Sequence, residues 1–386
     1  VSLISERSAA IDVSGIRRAF ELGAALRDPI NLSIGQPDFP VPEEIKEAAI
    51  EAIRDDRNGY SLTQGMPDLR RIIASRLASE CGWAAGPESD LDVMVTSGTS
   101  GGLMLAFLAL LNPGDEVVIP DPWFVVYPAL ATMVGAHAVA CDTYPDFRMT
   151  AERVEPLLTP RTKVVLCNSP GNPSGVVMTG RELADLADLC ISRNVTLISD
   201  EIYDAFTFPD ARENGRCPSP ASRTREMLLI RGFGKSYGCT GWRLGYAAGP
   251  ARILREMAKL QQYTFVCPPT PLQAGVCRAF DVDLEPVIAR YAARRDRLLA
   301  ALGSLTEVAR PGGAFYAFVR VPESIGMTAT EFSEAAIEHR CIVIPGGVFS
   351  RRDTHFRISY AVPDRMLDEG LAVLAGMMDG RLRSRA

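Results

Sequence analysis

The strongest constraint on the fold of this chain is that its apolar runs do not alternate with polar residues. Residues 91–95, 116–119, 163–167, 196–199 and 227–230 are short, nearly continuous hydrophobic runs. A strand with one wet face alternates, whereas a strand of a parallel sheet covered on both faces is apolar throughout. From about residue 44 these runs take turns with helical patterns, which predicts a three-layer α/β/α domain around a mostly parallel sheet. Each run is followed by a polar or glycine-rich cluster, at 97–102, 121–124, 168–175, 200–203 and 232–235. Ligands of open α/β sheets bind beyond the carboxyl ends of the strands, so these clusters are expected to converge on one site.

The 386 residues suffice for a large domain and a smaller one. Residues 1–30 read as a helix and arm, with Ile11, Ile16, Phe20 and Leu22 at loosely helical spacing, and Asn31-Leu32-Ser33-Ile34-Gly35-Gln36-Pro37-Asp38-Phe39-Pro40 as a crossing loop. A helix rich in Arg and Ala is expected at 285–303, ahead of a mixed α/β segment. The division expected is therefore 1–43 as arm and part of a small α/β domain, 44–285 as the large ligand-binding domain and 286–386 as the rest of the small one. A net charge of −6 disfavours a nucleic-acid or anionic-membrane partner. Small polar metabolites fit better. The longest apolar run, 103–111, is short of the roughly 20 residues that span a bilayer. Ser5, Glu6 and Arg7 interrupt any signal-peptide core. Nine scattered cysteines without a CxxC pair suggest a reduced, cytoplasmic setting and no metal site.

Chemistry concentrates in Gly232-Phe233-Gly234-Lys235-Ser236-Tyr237-Gly238-Cys239-Thr240-Gly241-Trp242-Arg243. A phosphate-binding P-loop would need glycine where Leu229 stands, and a dinucleotide fingerprint would need one at Tyr237. What remains is a lysine in a glycine-rich turn, with an arginine eight residues on. Desolvation and neighbouring positive charge favour the neutral, nucleophilic amine. Such an amine condenses with an aldehyde while the arginine holds a phosphate, which is the chemistry of pyridoxal 5′-phosphate. Gly98, Thr99 and Ser100 lie at a strand-to-helix junction suited to an anion, the helix being expected from near Leu103. Asp200 after its strand would keep a pyridine nitrogen protonated, and Tyr203 and Asn172 could share the ring's phenolic oxygen. Arg357, in the apolar run Phe356-Arg357-Ile358-Ser359-Tyr360, suits a carboxylate. Each residue also has an ordinary reading: an empty glycine turn, an N-cap aspartate, a core tyrosine, an Asn-Pro turn, a structural ion pair. Trp123 fits a pocket wall or plain packing, and His137, His339 and His355 match no motif.

Taken in order, these motifs, with Tyr60-Ser61-Leu62-Thr63-Gln64-Gly65 and Pro311-Gly312-Gly313-Ala314-Phe315-Tyr316, resemble the class I and II aminotransferases, fold-type I pyridoxal-phosphate enzymes, over essentially the whole chain. The resemblance implies that Lys235 forms a Schiff base with the cofactor and shuttles the substrate proton. It implies that Phe124 stacks on the ring, Asp200 faces its nitrogen, and Asn172 and Tyr203 face its phenolic oxygen. Gly98, Thr99, Ser100 and Arg243 would form the phosphate cup, with Tyr60 reaching in from the second subunit of a homodimer. Gly35, Asn172 and Arg357 would hold the substrate carboxylate. Where many relatives place serines before the lysine, this chain has Gly232 and Gly234.

The implied reaction is ping-pong transfer of an amino group from an L-amino acid to a 2-oxo acid such as 2-oxoglutarate. A pyridoxal-phosphate-dependent C–S lyase shares the same residues, and a non-catalytic cofactor-sensing domain is the alternative of another class. An aspartate-preferring branch has a lysine where Ser100 stands, whereas Ser14-Gly15-Ile16-Arg17 and the segment 263–268 look more like the broad aromatic-type branch.

Overall fold

The computed structural model describes residues 3–12, 15, 26–86 and 89–382. A short strand β1 (Ile30–Asn31) precedes the main sheet, which is built from β2 (Leu91–Thr96), β3 (Glu116–Asp121), β4 (His137–Asp142), β5 (Thr162–Asn168), β6 (Thr196–Asp200), β7 (Met227–Gly232) and β8 (Gly245–Pro250). Each of the five runs at 91–95, 116–119, 163–167, 196–199 and 227–230 falls in one of these strands, and each of those strands continues into the polar cluster behind it. Thr96, Asp121, Asn168, Asp200 and Gly232 are consequently last residues of strands.

The strand order is β2-β8-β7-β6-β5-β3-β4, parallel except for β8, which runs antiparallel to both neighbours. Register pairs Asn168 with Asp200 and Gly232 with Gly245, so the carboxyl ends of β5 and β6 are level and β8 begins where β7 ends. Strands β4 and β8 have no apolar run to announce them. The first is a partly exposed edge strand. The second is largely Gly, Ala and Pro because its neighbours crowd it: a Cβ on Gly245 would lie 2.8 Å from Thr99 N.

Side chains of one strand divide between the two faces of the sheet, as the period of two requires. Val165, Leu197 and Leu229 pack on one side with Leu69 and Ile73, while Leu166, Ile198 and Ile230 pack on the other with Leu103 and Phe107. The helix Gly98–Leu110 contributes to the latter core and is apolar on all sides, as a helix between a sheet and an outer helix must be. It starts at Gly98, earlier than the apolar run near Leu103 suggests, because the small residues 98–102 form its first turn.

A second unit contains β9 (Tyr316–Arg320), β10 (Cys341–Ile342), β11 (Ile344–Pro345) and β12 (His355–Ser359). Strands β11, β12 and β9 form an antiparallel sheet, and β1 pairs with β10, which fastens the N-terminal arm to this unit. The helix Glu285–Leu302 falls where its Arg- and Ala-rich sequence places it, with Tyr291 and Leu298 in the core under the small sheet. In the arm, Glu6–Ala9 is helical; Ser14, Ile16, Arg17, Phe20 and Leu22 lie outside the described residues. Among the described residues no helix is long and apolar enough to cross a membrane.

Candidate active site

Asp200 closes β6 with only 2% of its surface exposed. The Tyr127 hydroxyl donates to its Oδ2 (2.8 Å) and the Ile202 N–H to its Oδ1 (3.2 Å). Among the described residues no cation pairs with it. Burial pushes the carboxyl up to about 6, against the pull of the Tyr127 and Ile202 bonds. A carboxylate held this way can take a cationic partner from a ligand.

The adjoining loop is pinned to the same strand end. Asn168 Nδ2 donates to the Asp200 carbonyl (2.8 Å), and Asn168 Oδ1 accepts from the Asn172 N–H (2.9 Å). Asn172 in turn accepts from Arg357 Nη1 (3.0 Å), whose Nη2 donates to the Ser33 carbonyl (2.9 Å). The Arg357 guanidinium also lies 4.5 Å from the Tyr316 ring and 4.7 Å from the Phe349 ring. It is buried, meets no carboxylate among the described residues, and burial lowers its pKa. The ordinary reading of Arg357, a structural ion pair, therefore does not hold there. Its charge is solvated by neutral acceptors and rings, a state that an incoming anion would improve.

Lys235 lies on the short helix Phe233–Ser236 at the end of β7. Phe233 anchors this turn in the core beside Tyr246 and Phe280, a burial worth about 1.5–3 kcal/mol. The lysine amine donates to the Gly35 carbonyl. Burial first, then the charges of Arg357 and Arg243, lower its pKa to about 8. Arg243, at φ 54°, donates through Nη1 to the Thr240 carbonyl (3.0 Å). Its guanidinium lies against Gly98, where φ is +70° and a Cβ would come within 2.7 Å of Nη2. Glycine is thus required there by both backbone and space.

A cavity of ≈ 230 Å³ opens between these groups. Its wall brings together the residues read from the sequence, Gly98, Thr99, Ser100, Phe124, Asn172, Asp200, Tyr203, Lys235 and Arg243. Gly35 and Arg357 adjoin it through their bonds to Lys235 and Asn172. Tyr60 stands apart, 87% exposed. Trp123 is not in the wall, and buried His355 packs with Tyr144, Phe147 and Phe318. Sequence reasoning missed Tyr127, the partner of Asp200, and gave no role to Tyr316, whose hydroxyl lies 3.2 Å from that of Tyr203. A larger cavity of ≈ 950 Å³ lies behind the lysine turn, around buried Arg231. There Glu80, Glu201 and Asp204 neutralise the arginine.

The sequence profile of the family "Aminotransferase class I and II" matches residues 27–374. The chain belongs to this family. The aromatic-amino-acid aminotransferase 2 of Thermococcus litoralis is 32% identical over 95% of this chain and 96% of its own. The aspartate aminotransferase of Pyrococcus abyssi is 33% identical over 95% and 96%. Among solved structures, the aspartate aminotransferase of Thermus thermophilus with maleate superposes with a TM-score of 0.89 at 32% identity, covering 98% of this chain and all of the other. The protein is a transaminase of fold-type I, and its cofactor is pyridoxal 5′-phosphate.

The cavity fits that cofactor chemically. Asp200 is a buried carboxylate that meets no cation among the described residues, which suits a protonated ring nitrogen. Arg243 and the start of the helix Gly98–Leu110 suit the phosphate, and Lys235 supplies an amine inclined to lose its proton. In this aminotransferase the turn before the lysine is closely packed at Gly232. A Cβ there would meet Ile202 Cδ1 at 2.7 Å and Thr99 Cγ2 at 3.0 Å.

Proposed function

We propose that this aminotransferase moves the amino group of an L-amino acid with an uncharged, preferably aromatic, side chain to a 2-oxo acid, with 2-oxoglutarate as acceptor, in a ping-pong cycle. The observation that carries the reading is the position of Lys235: its buried amine lies within the field of two arginines and shares one cavity with Asp200. Lys235 would hold the resting cofactor covalently, and its Nζ, free once the substrate amine has taken its place, would move the proton from the substrate α-carbon. The bound cofactor supplies a ring that withdraws the electrons of that carbon. Asp200 keeps the ring nitrogen protonated, Phe124 covers a ring face, and Asn172 and Tyr203 donate to the phenolic oxygen. Gly98, Thr99, Ser100 and Arg243 bind the phosphate. Arg357 and Asn172, with the Gly35 backbone, orient the substrate carboxylate.

The preference for an uncharged side chain is supported by the charges available. Among the described residues, Lys235 and Arg243 are the cations of the cavity wall, and both have other tasks. A homodimer in which Tyr60 completes the partner's phosphate site is supported by the exposed apolar residues Tyr60, Leu62, Tyr263 and Phe265. Phe265 borders a further cavity together with Ser100 and Arg243, next to the proposed phosphate site. The pairing of β1 with β10 supports an arm that belongs to the small domain, with the large one running from 44 to 285. Nine free cysteines suit a cytoplasmic location.

The test is to mix holoenzyme with single amino acids in the absence of any 2-oxo acid. One equivalent of the corresponding 2-oxo acid per active site is expected, with phenylalanine or tyrosine outperforming aspartate. Restoring the visible spectrum with 2-oxoglutarate or pyruvate then ranks the acceptors. Continuous release of ammonia and pyruvate would overturn the transfer reading, and initial-rate lines that intersect rather than run parallel would overturn the ping-pong one.

A further inference from the structure

The last residue of β3 joins the two units of the molecule. Asp121 is buried, and its Oδ1 accepts from the Ser350 hydroxyl (2.5 Å) while its Oδ2 accepts from the Arg351 N–H (3.4 Å). Two residues on, the Trp123 N–H donates to the Phe349 carbonyl (2.7 Å). Tyr144 donates its hydroxyl proton to Ser350 Oγ (2.9 Å), and the Arg352 side chain pairs with Asp142 and covers the Tyr144 ring at 4.5 Å. Loop 349–352, which follows β11, is thereby bonded to the main sheet through Asp121 and its neighbours.

Both ends of this junction reach the active site. On the loop side, Phe349 is fully buried with its ring 4.7 Å from the Arg357 guanidinium. On the sheet side, Phe124 follows Asp121 by three residues and lines the cavity. Among the described residues Arg357 has neutral acceptors at Asn172 and Ser33, an Nε without a partner, and no carboxylate to orient it. Its direction therefore depends on two hydrogen bonds and on the rings of Tyr316 and Phe349. A planar fork must point correctly before it can bind a carboxylate through both nitrogens.

We propose that Asp121 is a positioning residue for carboxylate recognition: by holding Ser350 and Arg351 it seats Phe349 against Arg357 and fixes the direction of the guanidinium. This rests on the reading of Arg357 as the substrate-carboxylate anchor. Asp121 touches neither substrate nor cofactor. Its effect belongs to binding and not to the proton transfer at Lys235.

The experiment compares D121A and S350A holoenzymes, each with Arg357 intact and in an R357K background. L-phenylalanine is titrated in single-turnover half-reactions followed by cofactor absorbance, giving a half-saturating concentration and a limiting rate. D121A should raise the half-saturating concentration about tenfold, as loss of a charge-assisted hydrogen bond does, with the limiting rate held within about twofold. S350A should raise it less, about threefold, because the Arg351 N–H still binds Asp121. In the R357K background neither change should exceed about twofold, since the orientation they protect is already lost. Equal factors in both backgrounds, or a fall in limiting rate at unchanged half-saturation, would overturn the proposal. Should R357K alone leave half-saturation unchanged, the anchor reading is what fails, and the role of Asp121 falls with it. If D121A does not fold, S350A in the two backgrounds decides.

Discussion

Replacing Asp200 with asparagine should stabilise the apoenzyme while disabling the holoenzyme. The carboxyl is raised from 3.8 to about 6, chiefly by burial. Between those values the native chain retains a proton that the unfolded chain has released. Stability of the wild-type apoenzyme therefore falls as pH rises through this window and levels off above it. The full difference is about 3 kcal/mol, at 1.36 kcal/mol for each pH unit. Asparagine never ionises, and its carbonyl can still accept from the Ile202 N–H while its amide faces the Tyr127 hydroxyl, which turns to accept. The net shift already includes the pull of these bonds, so the gain stays at about 3 kcal/mol. An unfolding entropy of about 2 cal/mol/K per residue over 386 residues converts this to about 4 °C in the midpoint. The assay is thermal unfolding of cofactor-free D200N and wild type at a series of pH values from 4 to 8. The curves should coincide near pH 4, separate up to pH 6 and run parallel beyond. Curves that stay parallel throughout, or a wild type more stable at pH 8, would refute the reasoning. With cofactor restored, D200N should turn over at least about 10²-fold more slowly, because a preorganised charge is missing where the ring nitrogen needs it.

R357K should raise the KM for the amino acid by about 10- to 100-fold and change kcat much less, since a lysine gives a point charge in place of a planar fork; steady-state kinetics with the best donor measure it. G232S should destabilise by about 1–3 kcal/mol, seen in denaturant unfolding, because its Cβ would press on Ile202 and Thr99; unaltered stability together with tighter cofactor binding would show that this turn can accept a serine. Mixing Y60A with K235A subunits should recover activity that neither variant has alone, as one site of each hybrid dimer carries neither change; an inactive mixture shown by labelling to have exchanged subunits would exclude a shared site.

The sequence announced the main sheet wherever a strand is buried by leucine, isoleucine and valine, and failed where burial is achieved by backbone proximity. Strand β8 is as buried as β7, yet Gly245, Ala247, Ala248 and Gly249 carry no apolar signal, because little room remains for side chains. For the same reason the helix after β2 begins at Gly98, in residues that read as a loop. At the site, residues whose chemistry was out of place for their surroundings were legible: a lysine in a glycine turn, an arginine in an apolar strand. Tyr127 was not. Nothing in its neighbourhood distinguishes it from a core tyrosine, and only the fold brings its hydroxyl to Asp200. The Ser33 carbonyl bound by Arg357 was equally invisible, since backbone oxygens have no sequence signature and these residues are hundreds of positions apart.

The reversed direction of β8 has a consequence for how substrate range can change. A parallel strand after β7 would need a crossover that returns along the whole sheet, whereas an antiparallel one can start beside the end of β7. Lys235 and Arg243 therefore share the hairpin connection 233–244, whose ends are joined by the bond from the Phe233 N–H to the Leu244 carbonyl (3.2 Å). Whatever spans them is gripped at both ends by one stretch of chain closed on itself at its base. Arg357 belongs instead to the small antiparallel sheet and meets the hairpin only across the cavity. Drift in the small sheet and the loops around it can thus alter which molecules are admitted without loosening the hold on the cofactor.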